Sequence, residues 1–495
     1  MTPTRFRRSK RLRGGASAST PTRFRRSNRS RTGAPGPTPE VHWRYLDGFP
    51  DPLRLHGEAS QSFPFLLESA VPREGPRPET ARYDLLLGDP IRTLTAQPDG
   101  SLDLDGRSLE GDFLQVLGDL RAETSRPVPE GFPGPFWGGF FVYLGYELAG
   151  HLEPVAAPKT DPTGPLALAV EVASGVIRDH QTGTAFVFSC GEGAFERCEE
   201  LARWAESTPD NPFQAPAVQL PQPQEAVPDT YLEGVRRARD YIHAGDVFQV
   251  NLARAWVTRT EDPPDPVVLY DRLRRANPAP FAGLARLPDG TAIISSSPER
   301  LLRVREGVAE TRPIAGTRPR SRSEAEDHRL SRELQDNPKE RAEHVMLIDL
   351  ERNDLGRICT PGTVEVDELM ALETYAHVHH ITSNVRGRPA PERAPEDALA
   401  ALFPGGTITG CPKVRCMQII HELEPRPRGP YTGSMGYLCY DGTTDMNILI
   451  RTLVQSGSHM EFLTGAGIVA DSEPERELEE TRAKARGLLR ALGAD

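Results

Sequence analysis

The chain has 495 residues, of which 37% are apolar and 26% charged. That is enough for one large domain or two to three ordinary ones, and no run approaches the ~20 apolar residues of a membrane-spanning helix. Six cysteines, at 190, 198, 359, 411, 416 and 439, show no CxxC or Cys/His spacing, which argues against a disulfide framework or a zinc site and fits a reducing, cytoplasmic setting.

Charge is uneven. Residues 1–32 hold 11 of the 59 Lys and Arg and none of the 70 Asp and Glu, so the body is twice as acidic as the whole-chain balance of −11. Residues 1–40 contain a near-duplication, TPTRFRRSKR at 2–11 and TPTRFRRSNR at 20–29, without an apolar run. They are expected to be a disordered basic tail. An inert extension is the reading adopted over a polyanion-binding arm or a targeting segment, and nucleic acid is not an expected partner.

From 41 to 215 the chain reads as strands, with FPFLLES (63–69), RYDLLLGDP (82–90), FWGGFFVYLGYELAG (136–150) and ALALAVEVASGVIRD (166–179). A Pro/Gln-rich stretch at 209–228 reads as a linker. A second region, 225–492, opens with a helix capped by Asp229 or Thr230 and running through Ala244, followed by a strand at 247–257. Further helices are predicted at 324–335, 338–350, 395–402, 412–423 and 473–491, among strands at 291–296, 432–439, 446–454 and 461–469. Helices mixed with strands without a regular βαβ beat predict an α+β fold. No GxGxxG or GxxxxGK[ST] loop supports a nucleotide cofactor.

Two carboxylate pairs, Glu340 with Glu343 and Glu477 with Glu480, stand at i, i+3 on predicted helices, so both members of each pair face the same way. Four carboxylates without His or Cys companions suit a hard cation such as Mg²⁺. From charge pattern alone they equally describe solvated faces paired with Lys339, Arg341, Arg476 and Lys484. FPGGTITGCPK (403–413) places glycines and threonines before a helix opening near Pro412, and GAG at 465–467 follows a strand, where backbone can approach a ligand closely. Either ordinary turns or an anion site would account for both; Lys413, Tyr431 and Arg451 are then candidates for holding carboxylates. Glu299, after Ser-Pro at a strand end, can act as a general acid if burial raises its pKa.

PIAGTRPR, KERAEHVMLIDLERNDLGR, YAHVHHITSNV, FPGGTITGCPKVRCMQIIHELEP, NILIRT and GAGIVADSEPERELEETRAKA together resemble the chorismate-utilising enzymes, in particular the large subunits (component I) of anthranilate synthase and aminodeoxychorismate synthase. The likeness is dense over 230–490 and looser over 41–215. It implies a large β-sandwich of two sheets flanked by helices, chorismate as substrate and Mg²⁺ as cofactor. By motif, it implies that Glu340, Glu343, Glu477 and Glu480 form the metal shell. Tyr431 and Arg451 would bind the enolpyruvyl carboxylate with help from Thr407, the Gly465, Ala466 and Gly467 amides and Lys484, and Glu299 would protonate the departing C4 hydroxyl. Gln249 stands where water-using relatives carry a Lys base, so ammonia is the implied nucleophile, supplied by a separate glutamine amidotransferase subunit.

The resemblance divides over the product. RYDLLLGDP, WGGFFVYLGYELAG, QVNLAR, NPAPFA, SSSPER and PGGTITG resemble aminodeoxychorismate synthase, which makes 4-amino-4-deoxychorismate for 4-aminobenzoate and folate, and this is the expectation taken forward. Ala315, where that enzyme typically has a lysine that attacks C2, and His377, which matches a residue implicated in pyruvate elimination, imply the alternative, anthranilate for tryptophan biosynthesis. FLLES resembles a tryptophan-binding segment, with Glu68 and Ser69 as its candidate residues or else a plain strand edge. A catalytically silent amino-acid-binding subunit is the alternative of another class, and the complete set of acidic and basic site residues speaks against it.

Overall fold

The computed structural model describes residues 40–71, 79–156, 159, 164–321, 323–375 and 378–494. His377, the basic tail and its duplication lie outside them.

Pro at the first turn opens the helices that later carry chemistry. In Pro338–Gly356, Asn337 caps the start, its Oδ1 accepting from the Lys339 and Glu340 amides at 2.9 and 3.2 Å. Pro474–Leu492 stops at Gly493, whose φ of +78° is the left-handed C-terminal conformation that glycine supplies. The helix expected to be capped by Asp229 or Thr230 instead begins at Pro228, with Val227 at the cap position. Proline's fixed φ starts this helix without a side-chain cap.

The strands form a large curled sheet, predominantly antiparallel, and residues 41–215 pair directly with residues 225–492: Gly139–Leu144 lies against Ser434–Cys439, and Phe65–Glu68 against Phe281–Arg286. Among the described residues, pairing joins 22 strands into one hydrogen-bonded network. Alternating apolar patterns specify strands and their inward faces but leave the closure of a sheet open, because that depends on long-range partners. The linker contributes one short strand, Gln224–Glu225, on Trp256 and Val257.

The strand Gln249–Arg259 runs antiparallel to His459–Ile468, with Asn251 opposite Gly467 and Ala253 opposite Gly465. Register partners Trp256 and Phe462 stack with ring centroids 5.3 Å apart, a cross-strand aromatic pair of the kind worth about 0.2–1 kcal/mol. The GAG segment therefore lies inside this strand, not after it. The predicted strand 446–454 is interrupted: Thr444–Asn447 and Thr452–Ser456 are separate, and Arg451 between them has a φ of +52°. No helix among the described residues is long and apolar enough to cross a membrane.

Candidate active site

The strand pair Gln249–Arg259 and His459–Ile468 forms one wall of the site, and its glycines mark where side chains crowd the backbone. A Cβ on Gly467 would lie 2.3 Å from Gln249 Nε2, and one on Gly465 would lie 2.7 Å from Asn251 Oδ1 and 2.9 Å from the Tyr431 hydroxyl. Only hydrogen fits there. Ala466 between them points into the core, fully buried.

The four glutamates arrive on two helices around this wall. Gln249 Nε2 donates to Glu343 Oε1 at 3.0 Å, and Arg318 Nη1 donates to Glu340 Oε1 at 3.1 Å. Lys484 pairs with Glu480 at 2.9 Å and donates to the Gly465 carbonyl at 2.9 Å. Burial raises the Glu343 carboxyl above its ordinary pKa, and the charges of Glu340 and Glu480 raise it further; burial and then Glu480 act the same way on Glu477. Glu343 thus feels carboxylates from both helices, and Glu477 feels Glu480. Their all-oxygen donor chemistry fits a hard divalent cation. Among the described residues no three acidic, His or Cys side chains stand at metal-holding separation, and Glu340 and Glu480 are engaged by Arg318 and Lys484, cations that an incoming ion would displace.

Glu299 follows the strand Ala292–Ser297 and is 4% exposed. Burial pushes its carboxyl up to about 7, opposed by Thr407, the Ile314 amide, Arg451 and Lys484. The group is therefore poised to give up a proton near neutrality. Arg451 forms no side-chain hydrogen bond or ion pair among the described residues; burial lowers its pKa, and Glu299 and Tyr375 counteract this. Its positive φ is the kind of backbone strain, of order 1–3 kcal/mol, that persists where surrounding structure fixes an aim. Thr407 sits in the single-turn helix Gly406–Ile408, its carbonyl facing Asn251 Nδ2 at 3.5 Å.

Buried polar atoms without a hydrogen-bond partner among the described residues include Glu299 Oε1, Gln249 Oε1, Asn251 Oδ1 and His380 Nε2. Such atoms carry a desolvation cost unless a ligand or water meets them. His380 was not singled out in the sequence. Its Nδ1 lies 2.9 Å from Thr317 Oγ1 and 3.3 Å from the Gly316 carbonyl, and burial, then Arg451, pushes its pKa down to about 3, so the ring is neutral. The signal available was the clustering of three histidines in YAHVHH, which alone does not say which one faces inward.

Ala315 is buried in the strand Ile314–Pro319, opposite Ile381, and Gly316 beside it has a φ of +66° with Glu340 Oε2 2.6 Å from where its Cβ would be. Lys413 is placed differently from a substrate-facing cation: it pairs with Asp354 Oδ2 at 2.5 Å and donates to the Leu402 carbonyl at 2.9 Å. Glu68 accepts from Tyr270 at 2.7 Å and Arg274 at 2.9 Å, while the Ser69 amide donates to Asp84 at 2.8 Å. These polar groups satisfy one another within the fold.

Over residues 77–490 the chain matches the family described as chorismate binding enzyme. It is 45% identical over 437 residues to anthranilate synthase component 1 of Thermus thermophilus, covering 86% of this chain and 92% of that one. It is 37% identical over 432 residues to aminodeoxychorismate synthase component 1 of Bacillus subtilis, covering 83% and 89%. The crystal structure of anthranilate synthase component I from Streptococcus pneumoniae is similar with a TM-score of 0.72 at 31% identity, covering 84% of this chain and 93% of that one.

Proposed function

The chain belongs to the chorismate-binding enzymes and uses chorismate; on that premise we propose that it adds ammonia to C2 of chorismate and eliminates pyruvate, giving anthranilate. The carrying observation is Ala315, whose buried methyl offers no amine to C2. Lys484 is held by Glu480, and Lys413 is held by Asp354 and the Leu402 carbonyl rather than facing substrate. With no lysine adduct at C2, that carbon is open to ammonia itself.

In this reading Glu299 gives its proton to the C4 hydroxyl as that C–O bond breaks and water leaves, while both ring double bonds shift by one position and ammonia bonds to C2. The ammonium formed at C2 loses one proton. His380 Nε2, neutral and without a partner among the described residues, then takes the C2 hydrogen as the bond to the enolpyruvyl oxygen breaks, its low basicity offset by the aromatic ring that forms as pyruvate departs. Arg451 and Tyr431 hold the enolpyruvyl carboxylate, and the backbone of Gly465–Gly467 lets it approach. Glu340, Glu343, Glu477 and Glu480 would hold Mg²⁺, which when bound supplies a positive charge for the ring carboxylate. The balance is one chorismate and one ammonia to one anthranilate, one pyruvate and one water.

A glutaminase partner is part of the proposal. Hydrolysis of glutamine by the amidotransferase route needs an activated thiolate, whereas burial pushes the Cys198 and Cys359 thiols up to about 11 and Cys190 up to about 12, and raises Cys411, Cys416 and Cys439 as well. Aminodeoxychorismate formation is the second reading, favoured by the framing segments and the Bacillus subtilis relative. Supplying the pure chain with chorismate, Mg²⁺ and either ammonium or glutamine tests the proposal: turnover is expected with ammonium alone. Turnover with glutamine would remove the need for a partner, and none with either would favour a silent subunit.

A further inference from the structure

Beneath the substrate wall lies a cation that the proposed chemistry does not use. Arg428 is 3% exposed and engages all five of its guanidinium N–H groups. Nε donates to Glu424 Oε2 at 2.9 Å and Nη2 to Glu424 Oε1 at 2.6 Å. The remaining three reach separate parts of the site: Nη1 to the Ile408 carbonyl at 3.0 Å and Thr432 Oγ1 at 3.2 Å, and Nη2 to the Asn251 carbonyl at 2.9 Å. The guanidinium also lies over the Tyr146 and Tyr431 rings, 4.7 and 5.7 Å from their centroids. Glu424 in turn accepts from the Ala253 amide at 2.9 Å.

The geometry points to Arg428, neutralised by Glu424, as the positioning residue of the chorismate pocket: it fixes the Gly406–Ile408 turn, the start of Gln249–Arg259 and the Tyr431–Thr432 loop in one frame. Each of these bears a group assigned to the site, namely Thr407 and Tyr431 toward chorismate and Gln249 toward the nucleophile. The Tyr431–Thr432 loop needs such a clamp. Thr432 has a φ of +63°, a region that a β-branched residue seldom occupies, and its hydroxyl is held between Arg428 and the Tyr431 carbonyl. Releasing it would let Tyr431, whose hydroxyl packs against Gly465, lose its aim. A planar five-donor fork can bridge three backbone segments at once; an ammonium with three donors cannot.

The inference rests on the assignment of Tyr431 and Arg451 to a substrate carboxylate, and its test separates the two. Arg428→Lys keeps the charge opposite Glu424 and gives up the fork. Chorismate KM, and its equilibrium dissociation constant with Mg²⁺ but no ammonium, should rise roughly tenfold or more, while kcat changes by less than about threefold and half-saturation by Mg²⁺ stays the same. If Arg428→Lys does not fold, the charge-removing pair Arg428→Met with Glu424→Gln is read in the same way. A purely structural role would lower kcat in proportion to the folded fraction at unchanged KM, and that result overturns the inference. Arg451→Gln serves as the control: a raised KM there with none in Arg428→Lys rejects only the role of Arg428, whereas an unchanged KM in Arg451→Gln rejects the pocket assignment and the inference with it.

Discussion

Gln249 Nε2 donates to Glu343 Oε1 across 3.0 Å, tying the first residue of a wall strand to a carboxylate of the Pro338–Gly356 helix. A carboxamide neither takes nor gives a proton near neutrality, so Gln249 can orient a neutral nucleophile but cannot itself deprotonate water.

Replacing Glu343 by Gln keeps the shape and removes the charge. Turnover is expected to fall by roughly a hundredfold or more at every Mg²⁺ concentration, with a melting temperature no lower than that of the parent, since the substitution also relieves repulsion from Glu340 and Glu480. Unchanged activity at limiting Mg²⁺ would take Glu343 out of the metal shell.

The protonated fraction of Glu299 governs its use as an acid. With a folded pKa of about 7, activity measured at fixed free ammonia should decline as pH rises through 7, and Glu299→Gln should lose both activity and this limb. The same shift affects stability. The folded value lies above the unfolded one, so the contribution is fully present below the ordinary carboxyl pKa and is lost as pH climbs through about 7. The parent should thus lose on the order of 3 kcal/mol relative to Glu299→Gln between pH 4 and pH 9. Parallel urea titrations of the two proteins across that range would reveal it, and identical pH profiles would contradict the burial argument.

His380→Asn is expected to separate the two halves of the reaction. Chorismate should still be consumed with ammonium, while pyruvate release drops by roughly a hundredfold and an aminated, non-aromatic intermediate accumulates. Pyruvate keeping pace with chorismate loss would show that the C2 proton goes elsewhere.

Lys413 offers a contrast, because its partners are structural. Lys413→Met leaves Asp354 buried without its cation beside Glu351, whose carboxyl burial pushes up to about 8. Breaking a buried pair in this way costs about 3–5 kcal/mol. Denaturant unfolding should register that loss, with chorismate KM unchanged in the protein that remains folded.

Local signals in the sequence located most of the helices that carry the site. Proline at N1, the Asn337 cap and i, i+3 carboxylates are written within a few residues of one another, and the helices found at Glu324–Asp336, Pro395–Leu402 and Lys413–Leu423 begin and end within about two residues of expectation. Three features escaped because they depend on distant partners. Arg451 looked like mid-strand until its positive φ divided the strand. His380 is distinguished from its neighbours only by what packs around it. Arg428 reads as one more charge in EPRPRG, and its role emerges only when Asn251, Ile408 and Thr432 converge on it from three segments.

The product decides between the open C2 implied by Ala315 and the framing segments that resemble aminodeoxychorismate synthase. Chorismate, Mg²⁺ and ammonium are given to the pure chain with no lyase added, and anthranilate fluorescence and pyruvate are followed together. Ammonia addition at C2 gives equal amounts of both, each matching the chorismate consumed; 4-amino-4-deoxychorismate without anthranilate, releasing pyruvate only after a lyase is supplied, would contradict it.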